Sequence, residues 1–317
     1  MRAAKSMILA AGVVLALAAT AQAADKIRVG KSVPNVFAFT PIDLAVETGI
    51  MARNGIEAEI SSFQGGAKMH QAMVADAIDI GLGSGPDLVL ATQGSYAIAA
   101  AALAGPPLSL GFTVWADSPY KTIDDLKGKK IGVATAGSLT HWLVLELARV
   151  KGWGATGATP VALGGQQANY AGLKTKQIDA SLESAAIGWQ LEKKGEGRMI
   201  GNVDYVKDFH IHVIWAASKL AQNNPDLLRR FLKGWFETIA WMRANRDAAI
   251  PMIAKVTRYD LDVQAREYDA VMPMFSADGK FNPKAIEVIK HSFVTLGLMD
   301  KEPDTSKIVT EAYLPKM

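Results

Sequence analysis

The chain has no cysteine in its 317 residues. That absence excludes disulfide bonds, a thiol nucleophile and thiolate metal ligands together. No GxxxxGKS/T phosphate loop is present, and no Ser-His-Asp spacing is visible. Excess charge of one sign is also lacking. Lys and Arg number 34 against 31 Asp and Glu, a formal net charge of +3, so nucleic acid is not an expected partner. Past the first residues no apolar run is long enough to span a bilayer. There is no low-complexity segment and no heptad repeat.

What is present begins with a targeting pattern. Arg2 and Lys5 precede the apolar run Met7–Ala19, and Ala21-Gln22-Ala23 supplies an A-x-A site. Residues 1–23 are therefore expected to be a cleaved signal peptide, with the mature protein in the periplasm. No cysteine follows the site, so lipid attachment there is excluded. Cleavage removes two positive charges and leaves enough chain for two lobes of ordinary size.

Strands and helices then alternate. Lys26–Lys31, Ile56–Phe63, Ile78–Leu82 and Ala97–Ala102 read as strands. Between them lie a helix capped by Thr40, with Pro41 first, running to Arg53, and helices at Lys68–Ala75 and Asp87–Gln93. The rhythm restarts with an extended Leu110–Trp115, a helical turn at Ile123–Gly128, and strands at Ile131–Ala134, Pro160–Leu163 and Ile178–Leu182. Helices Gln166–Lys174 and Ala185–Lys193 and strands Met199-Ile200 and Ile211–Ala216 complete this half. The remainder is helical: Pro225–Asn245, Ala248–Val256, Val263–Met272 and Pro283–Leu296. In the first of these, Leu228, Phe231, Leu232, Trp235, Ile239 and Met242 form one buried face. Such alternation predicts an α/β fold with mostly parallel sheets. Ile78-Asp79-Ile80-Gly81 and Ile178-Asp179-Ala180-Ser181 occupy matching places in the two halves, each ending where a ligand crevice would lie.

The stretch Asp124–Lys151 organises the second half. Its strand enters the corner Thr135-Ala136-Gly137-Ser138 and a long helix follows, so unpaired N–H groups and a helix dipole converge on one spot that attracts anions. Ser138 and Thr140 can add hydroxyls there, or serve simply as the cap; His141 and Trp142 can add a ring.

The run Asp125-Leu126-Lys127-Gly128-Lys129-Lys130-Ile131-Gly132-Val133 resembles the periplasmic substrate-binding proteins of ABC importers. The nearest group is that for nitrate, sulfonate and taurine, which includes proteins resembling pyrimidine-precursor synthases. Asp79-Ile80-Gly81 with its Gly/Ser loop, Gly137-Ser138 before a helix, and Ala217-Ser218 leading to Asn224-Pro225-Asp226-Leu227 support the resemblance, which spans the mature chain. It implies a type II two-lobe binding-protein fold closing on a small solute, with no cofactor and no metal, in a monomer that docks on an inner-membrane permease. Residues 25–114 plus 215–317 would form lobe I and 115–214 lobe II, with crossing strands near Phe112–Ala116 and His212–Ala216. Desulfinase-like relatives use a cysteine nucleophile that this chain lacks, so an enzyme is not expected.

Ligand contacts then fall on four loops: Asn35, Val36, Phe37 and Phe39; Ser84, Gly85 and Pro86; Ser138, Leu139, Thr140 and His141; Glu183 and Ser184. Where relatives often carry Trp-x-Pro, this chain has Ser184-Ala185-Ala186. Glu183 could pair with an amino group of the ligand or face solvent. Trp115 could stack on a planar ligand or pack the hinge. His212 is a candidate contact. With His210, two positions away on one strand face, it makes either a metal-ligating pair or a polar patch. His70, mid-helix, is expected at the surface. No Arg lies in these loops, so an organic anion such as a sulfonate or carboxylate would be held by backbone N–H groups and hydroxyls. Phe37, Phe39, Trp115 and Trp142 would suit a planar body. A pyrimidine precursor held by Glu183 is the alternative.

Overall fold

The computed structural model of the protein describes residues 24–92, 94, 96–154, 156–295, 297 and 299–316. The expected signal peptide lies outside them. Among the described residues are ten strands: β1 (Asp25–Lys31), β2 (Ile56–Ser62), β3 (Ile80–Ser84), β4 (Ala97–Ala104), β5 (Leu110–Trp115), β6 (Lys130–Val133), β7 (Thr159–Ala162), β8 (Ala180–Ser184), β9 (Gly197–Asn202) and β10 (His212–Ala217). They form two sheets of the same design, ordered β2-β1-β3-β10-β4 and β7-β6-β8-β5-β9. In each, three strands run parallel and the fourth position is antiparallel to its neighbours; β10 and β5 hold it.

The helices of the first lobe are α1 (Thr40–Glu47), α2 (Ile50–Arg53), α3 (Gly66–Val74) and α4 (Leu88–Thr92); those of the second are α5 (Leu139–Val150), α6 (Gln166–Lys174) and α7 (Ala185–Lys194). The C-terminal run is α8 (Ser218–Asn223), α9 (Pro225–Ala244), α10 (Arg246–Thr257), α11 (Leu261–Val271) and α12 (Pro283–Thr295).

Three expectations need correction. The helix from Thr40 to Arg53 is two helices, because Gly49 adopts a left-handed φ of 71° between them. Thr40 does not cap it; its hydroxyl donates to the Phe37 carbonyl at 2.8 Å. The strand at Leu110–Trp115 does not cross between lobes either. All of β5 pairs within the second sheet, so the chain changes sheets at 105–109 and again at 203–211.

The matching aspartates have matching structural jobs. Asp79 Oδ2 accepts from the Arg28 backbone N–H at 2.8 Å, and Asp179 Oδ2 accepts from that of Lys130 at 2.9 Å. Each carboxylate ties the start of the lobe's central strand to its parallel neighbour.

The long helix α9 forms as its pattern demands. The Asn224 side chain accepts from the Leu227 N–H, and Phe231, Leu232 and Trp235 are fully buried, with α9 packed on α1 and α2. The alanine-rich β4 would be an open edge. Ala99 pairs there with the 308–310 segment, and Ala102 N–H donates to the Gly279 carbonyl, so the tail covers it. A small apolar cluster of Ala185, Ala186, Trp189, Tyr259 and Val263 joins α7 of the second lobe to the C-terminal helices.

Candidate functional site

A cleft of about 550 Å³ lies between the two sheets, and both lobes and the C-terminal helices line it. Its wall contains Asn35, Val36, Phe37, Ser84, Ser138, Leu139, Thr140, Glu183, Ser184 and His212 from the sequence reading. Phe39, Gly85, Trp115 and His141 are not part of it.

Each of those four has another role. Phe39 is core, its ring edge-on to His212 at 4.7 Å. Gly85 spends its N–H on the Ile211 carbonyl at 3.1 Å. Trp115 packs on Tyr170 at 5.6 Å. His141 turns back on its own loop, where Nδ1 accepts from the Gly137 N–H at 3.1 Å. Trp142 is likewise core, stacked on Phe209 with centroids 4.7 Å apart. The two histidines also part company. His212 faces the cleft, whereas His210 Nε2 accepts from the Asn282 N–H at 2.9 Å. His70 is buried, not exposed, beside Tyr96, Trp215 and Asp87. No group of three or more metal-ligating side chains is placed to hold an ion among the described residues.

Ser138 and Thr140 settle their local role. Ser138 Oγ accepts from the backbone N–H groups of His141 and Thr135 at 3.3 and 3.4 Å. Thr140 Oγ1 accepts from that of Ala134 at 3.1 Å. Both hydroxyls hold the corner closed while facing the cleft. Ser138→Ala combined with Thr140→Ala is therefore expected to lower stability by about 1–2 kcal/mol, read by urea unfolding, because a lost cap leaves its N–H groups unpaired. An unchanged midpoint would show that the corner does not need them.

Two stretches outside the four loops expected to hold the ligand complete the wall. Gln64-Gly65-Gly66 opens α3 and Gly164-Gly165-Gln166 opens α6, one from each lobe. Gly65 and Gly165 sit at the N-caps with φ of 112° and 120°, a conformation that L side chains rarely adopt, and neither helix has a side-chain cap. Their first N–H groups are thus left for the cleft. The corners approach closely: a Cβ on Gly165 would stand 3.9 Å from Gln64 Oε1, and one on Gly65 would stand 3.1 Å from Thr135 Oγ1. The repeated Gly-Gly before a helix was the available signal.

The electrostatics are one-sided. Asp87, Glu183 and Glu267 line the cleft, and among the described residues no Lys or Arg does. Asp87 is satisfied by the Ser84 N–H at 2.8 Å and the Ser84 hydroxyl at 2.7 Å, and Gly66 and Gly83 leave room for its carboxylate. Burial pushes Glu183 up to about 8, against the opposing pull of Asn169 and Ser181 beside it. Burial raises Glu267 to about 7, even though Ser184 Oγ and Gln264 Nε2 each donate to it at 2.9 Å. Burial also raises the Tyr259 phenol, and both glutamates add to the effect. His212 is driven down to about 4 by burial, so it is neutral, and its Nδ1 has no partner among the described residues. Tyr259 and Glu267 belong to the C-terminal run, where sequence reading expected helices and no ligand contact.

Two sheets of this topology with a cleft between them define a periplasmic-binding-protein fold. Solved structures agree: the alkanesulfonate-binding protein SsuA of Xanthomonas axonopodis, bound to MOPS, has a TM-score of 0.77 at 18% identity, covering 90% of this chain and 98% of that one. The periplasmic aliphatic sulphonate-binding protein SsuA of Escherichia coli has a TM-score of 0.74 at 20% identity, covering 90% and 92%. The desulfurization enzyme DSZB shares the fold with a TM-score of 0.63 at 17% identity, covering 91% and 97%. The family described as NMT1/THI5 like matches residues 36–249, and this chain belongs to it. A Brucella abortus (strain 2308) protein named as a binding protein is 26% identical over 275 residues, covering 82% of this chain and 83% of its own length.

Proposed function

We propose that this protein is a solute receptor of the periplasm that holds a small organic anion, a sulfonate or carboxylate, between its lobes. It then delivers that solute to an ABC permease without chemical change. The observation that carries the reading is the pair of uncapped helix N-termini, α3 from one lobe and α6 from the other, opening into one cleft. Unpaired N–H groups and the positive ends of two helix dipoles favour a negative group there without a cationic side chain. The sulfonate-binding neighbours support the same chemistry, and the chain has no cysteine to serve as a nucleophile.

The test is a thermal-shift series with short alkanesulfonates and carboxylates on the wild type and on Gln166→Pro. Gln166 is the first residue of α6, where proline fits the helix but removes an N–H. A ligand bound only by the native state at a hundred times its Kd adds about 2.7 kcal/mol of stability. The variant is expected to melt like the wild type without ligand and to bind the anion about ten-fold more weakly. Equal affinity in both would place the anion away from this helix end.

A further inference from the structure

We propose that α11, with the link 258–260 before it, is a strap that holds the second lobe against the C-terminal helices and so sets how far the cleft is closed. The inference concerns the motion of the lobes and does not depend on which solute the cleft takes.

It starts from where the lobes touch. At the mouth of the cleft the corners at 64–66 and 164–166 come close, but among the described residues they exchange no hydrogen bond. Leave aside the crossing segments 105–109 and 203–211. Every other side-chain hydrogen bond and ion pair among the described residues that joins 110–202 to the rest then runs between 184–193 and 260–267. At the inner end, beside the cleft, Ser184 Oγ donates to Glu267 Oε1 at 2.9 Å. Farther along α7, Gln190 Oε1 accepts from the Asp260 N–H at 3.3 Å, and Lys193 pairs with Asp260 at 2.8 Å and Asp262 at 2.6 Å. Arg266 lies over the Trp189 ring at 4.2 Å and stands 3.8 Å from Glu192. The apolar cluster of Ala185, Ala186, Trp189, Tyr259 and Val263 fills this same seam and is separate from the main core.

The other face of the strap is fixed to the first lobe's side. The Tyr268 hydroxyl donates to the Met242 carbonyl of α9, and Asp269 pairs with Arg246 of α10 at 2.7 Å. Just beyond α11, the Met274 carbonyl accepts from the Gly105 N–H at 2.9 Å at the end of β4. The strap therefore travels with the C-terminal helices, and its contacts with α7 must part or slide when the lobes separate. Its ion pairs are largely exposed, so each is weak and salt screens it. Gathered at one seam, such contacts tip a balance between open and closed lobes that can shift without unfolding either one.

The experiment is pulsed electron-resonance distance measurement on the mature chain, spin-labelled through Glu57→Cys and Thr159→Cys. These exposed positions lie on β2 and β7, the strands farthest from the crossings in each sheet, where opening moves the chain most. The lack of native cysteine makes the labelling specific. At low salt the otherwise wild-type chain is expected to give one short distance. Lys193→Glu with Arg266→Ala, both at exposed positions, is expected to raise the open-to-closed ratio about ten-fold or more, read as a second, longer distance. Circular dichroism melting should remain cooperative in this variant. Adding Asp262→Lys to Lys193→Glu should return part of the population to the short distance. Without these substitutions, about 1 M sodium chloride, where screening acts over roughly 3 Å, should bring in the same longer component. A long distance already dominant at low salt overturns the strap. So does a distribution that neither the variant nor salt alters, or a longer component that Asp262→Lys leaves unchanged.

Discussion

Replacing Gly85 with alanine is expected to cost the protein about 3–5 kcal/mol, a large share of the roughly 5–15 kcal/mol that holds a folded domain together. A Cβ built on Gly85 would stand 1.9 Å from the His210 carbonyl oxygen and 3.0 Å from Ile289 Cδ1. The first of these is backbone and cannot rotate away. Relief requires the end of β3 and the second crossing segment to separate, which also breaks the bond from the Gly85 N–H to the Ile211 carbonyl. Overpacking of this kind costs about 1–3 kcal/mol and sometimes more, and a buried hydrogen bond left unmade adds about 1–3 kcal/mol. Urea unfolding followed by far-ultraviolet circular dichroism reads the change directly. A variant within about 1 kcal/mol of the wild type would show that the crossing yields freely, and that the close approach of Gly85 is not a constraint on the lobes.

Gly85 also shows how far the sequence could be read. Its Gly/Ser loop was recognisable at the end of a strand, and Ser84 does line the cleft. That the glycine serves a backbone-to-backbone contact depends on 203–211, a segment more than a hundred residues away that local pattern cannot place. The same division recurs elsewhere. The repeated Asp79 and Asp179 announced two equivalent halves, because an acid at a fixed place before each central strand has a local job that both halves share. Helices α6 and α9 were legible because their start signals and apolar spacing are local too. The crossing was misplaced because a strand's sequence does not say which sheet it joins. Phe39 and Trp142 read as ligand platforms because an aromatic near a cleft loop looks the same whether its ring faces the solute or the core. Tyr259, in the link before α11, and Glu267, on α11, were missed because nothing local marks them; the cluster with Trp189 and Ala186 brings Tyr259 against α7, and the bond from Ser184 brings Glu267 there.

The carboxyls of Glu183 and Glu267 give the other large expected effect, a stability that declines as pH rises. Glu183, raised to about 8, and Glu267, raised to about 7, both keep their protons in the folded protein at pH values where an ordinary glutamate near 4.5 has lost them. The groups facing them are Asn169 from α6, Ser181 from β8, Ser184 capping α7, Gln264 from α11, and Tyr259 just before α11; none is a cation. Between the unfolded and folded pKa values the native state binds more protons than the unfolded chain, so stability falls with rising pH by up to about 1.4 kcal/mol per unit and carboxyl. The fall begins near pH 4.5 and ends near pH 8 for Glu183, and near pH 7 for Glu267. Exposed aspartates with lowered pKa values, such as Asp76 and Asp269, act below this window. Glu183→Gln carries no charge at any pH. It should match the wild type at about pH 5 and exceed it by about 2–4 kcal/mol at about pH 9, with a smaller gain for Glu267→Gln. Urea unfolding of the ligand-free proteins across this range is the measurement. Parallel curves for wild type and variant would mean that the carboxyls are already ionised and satisfied in the free cleft.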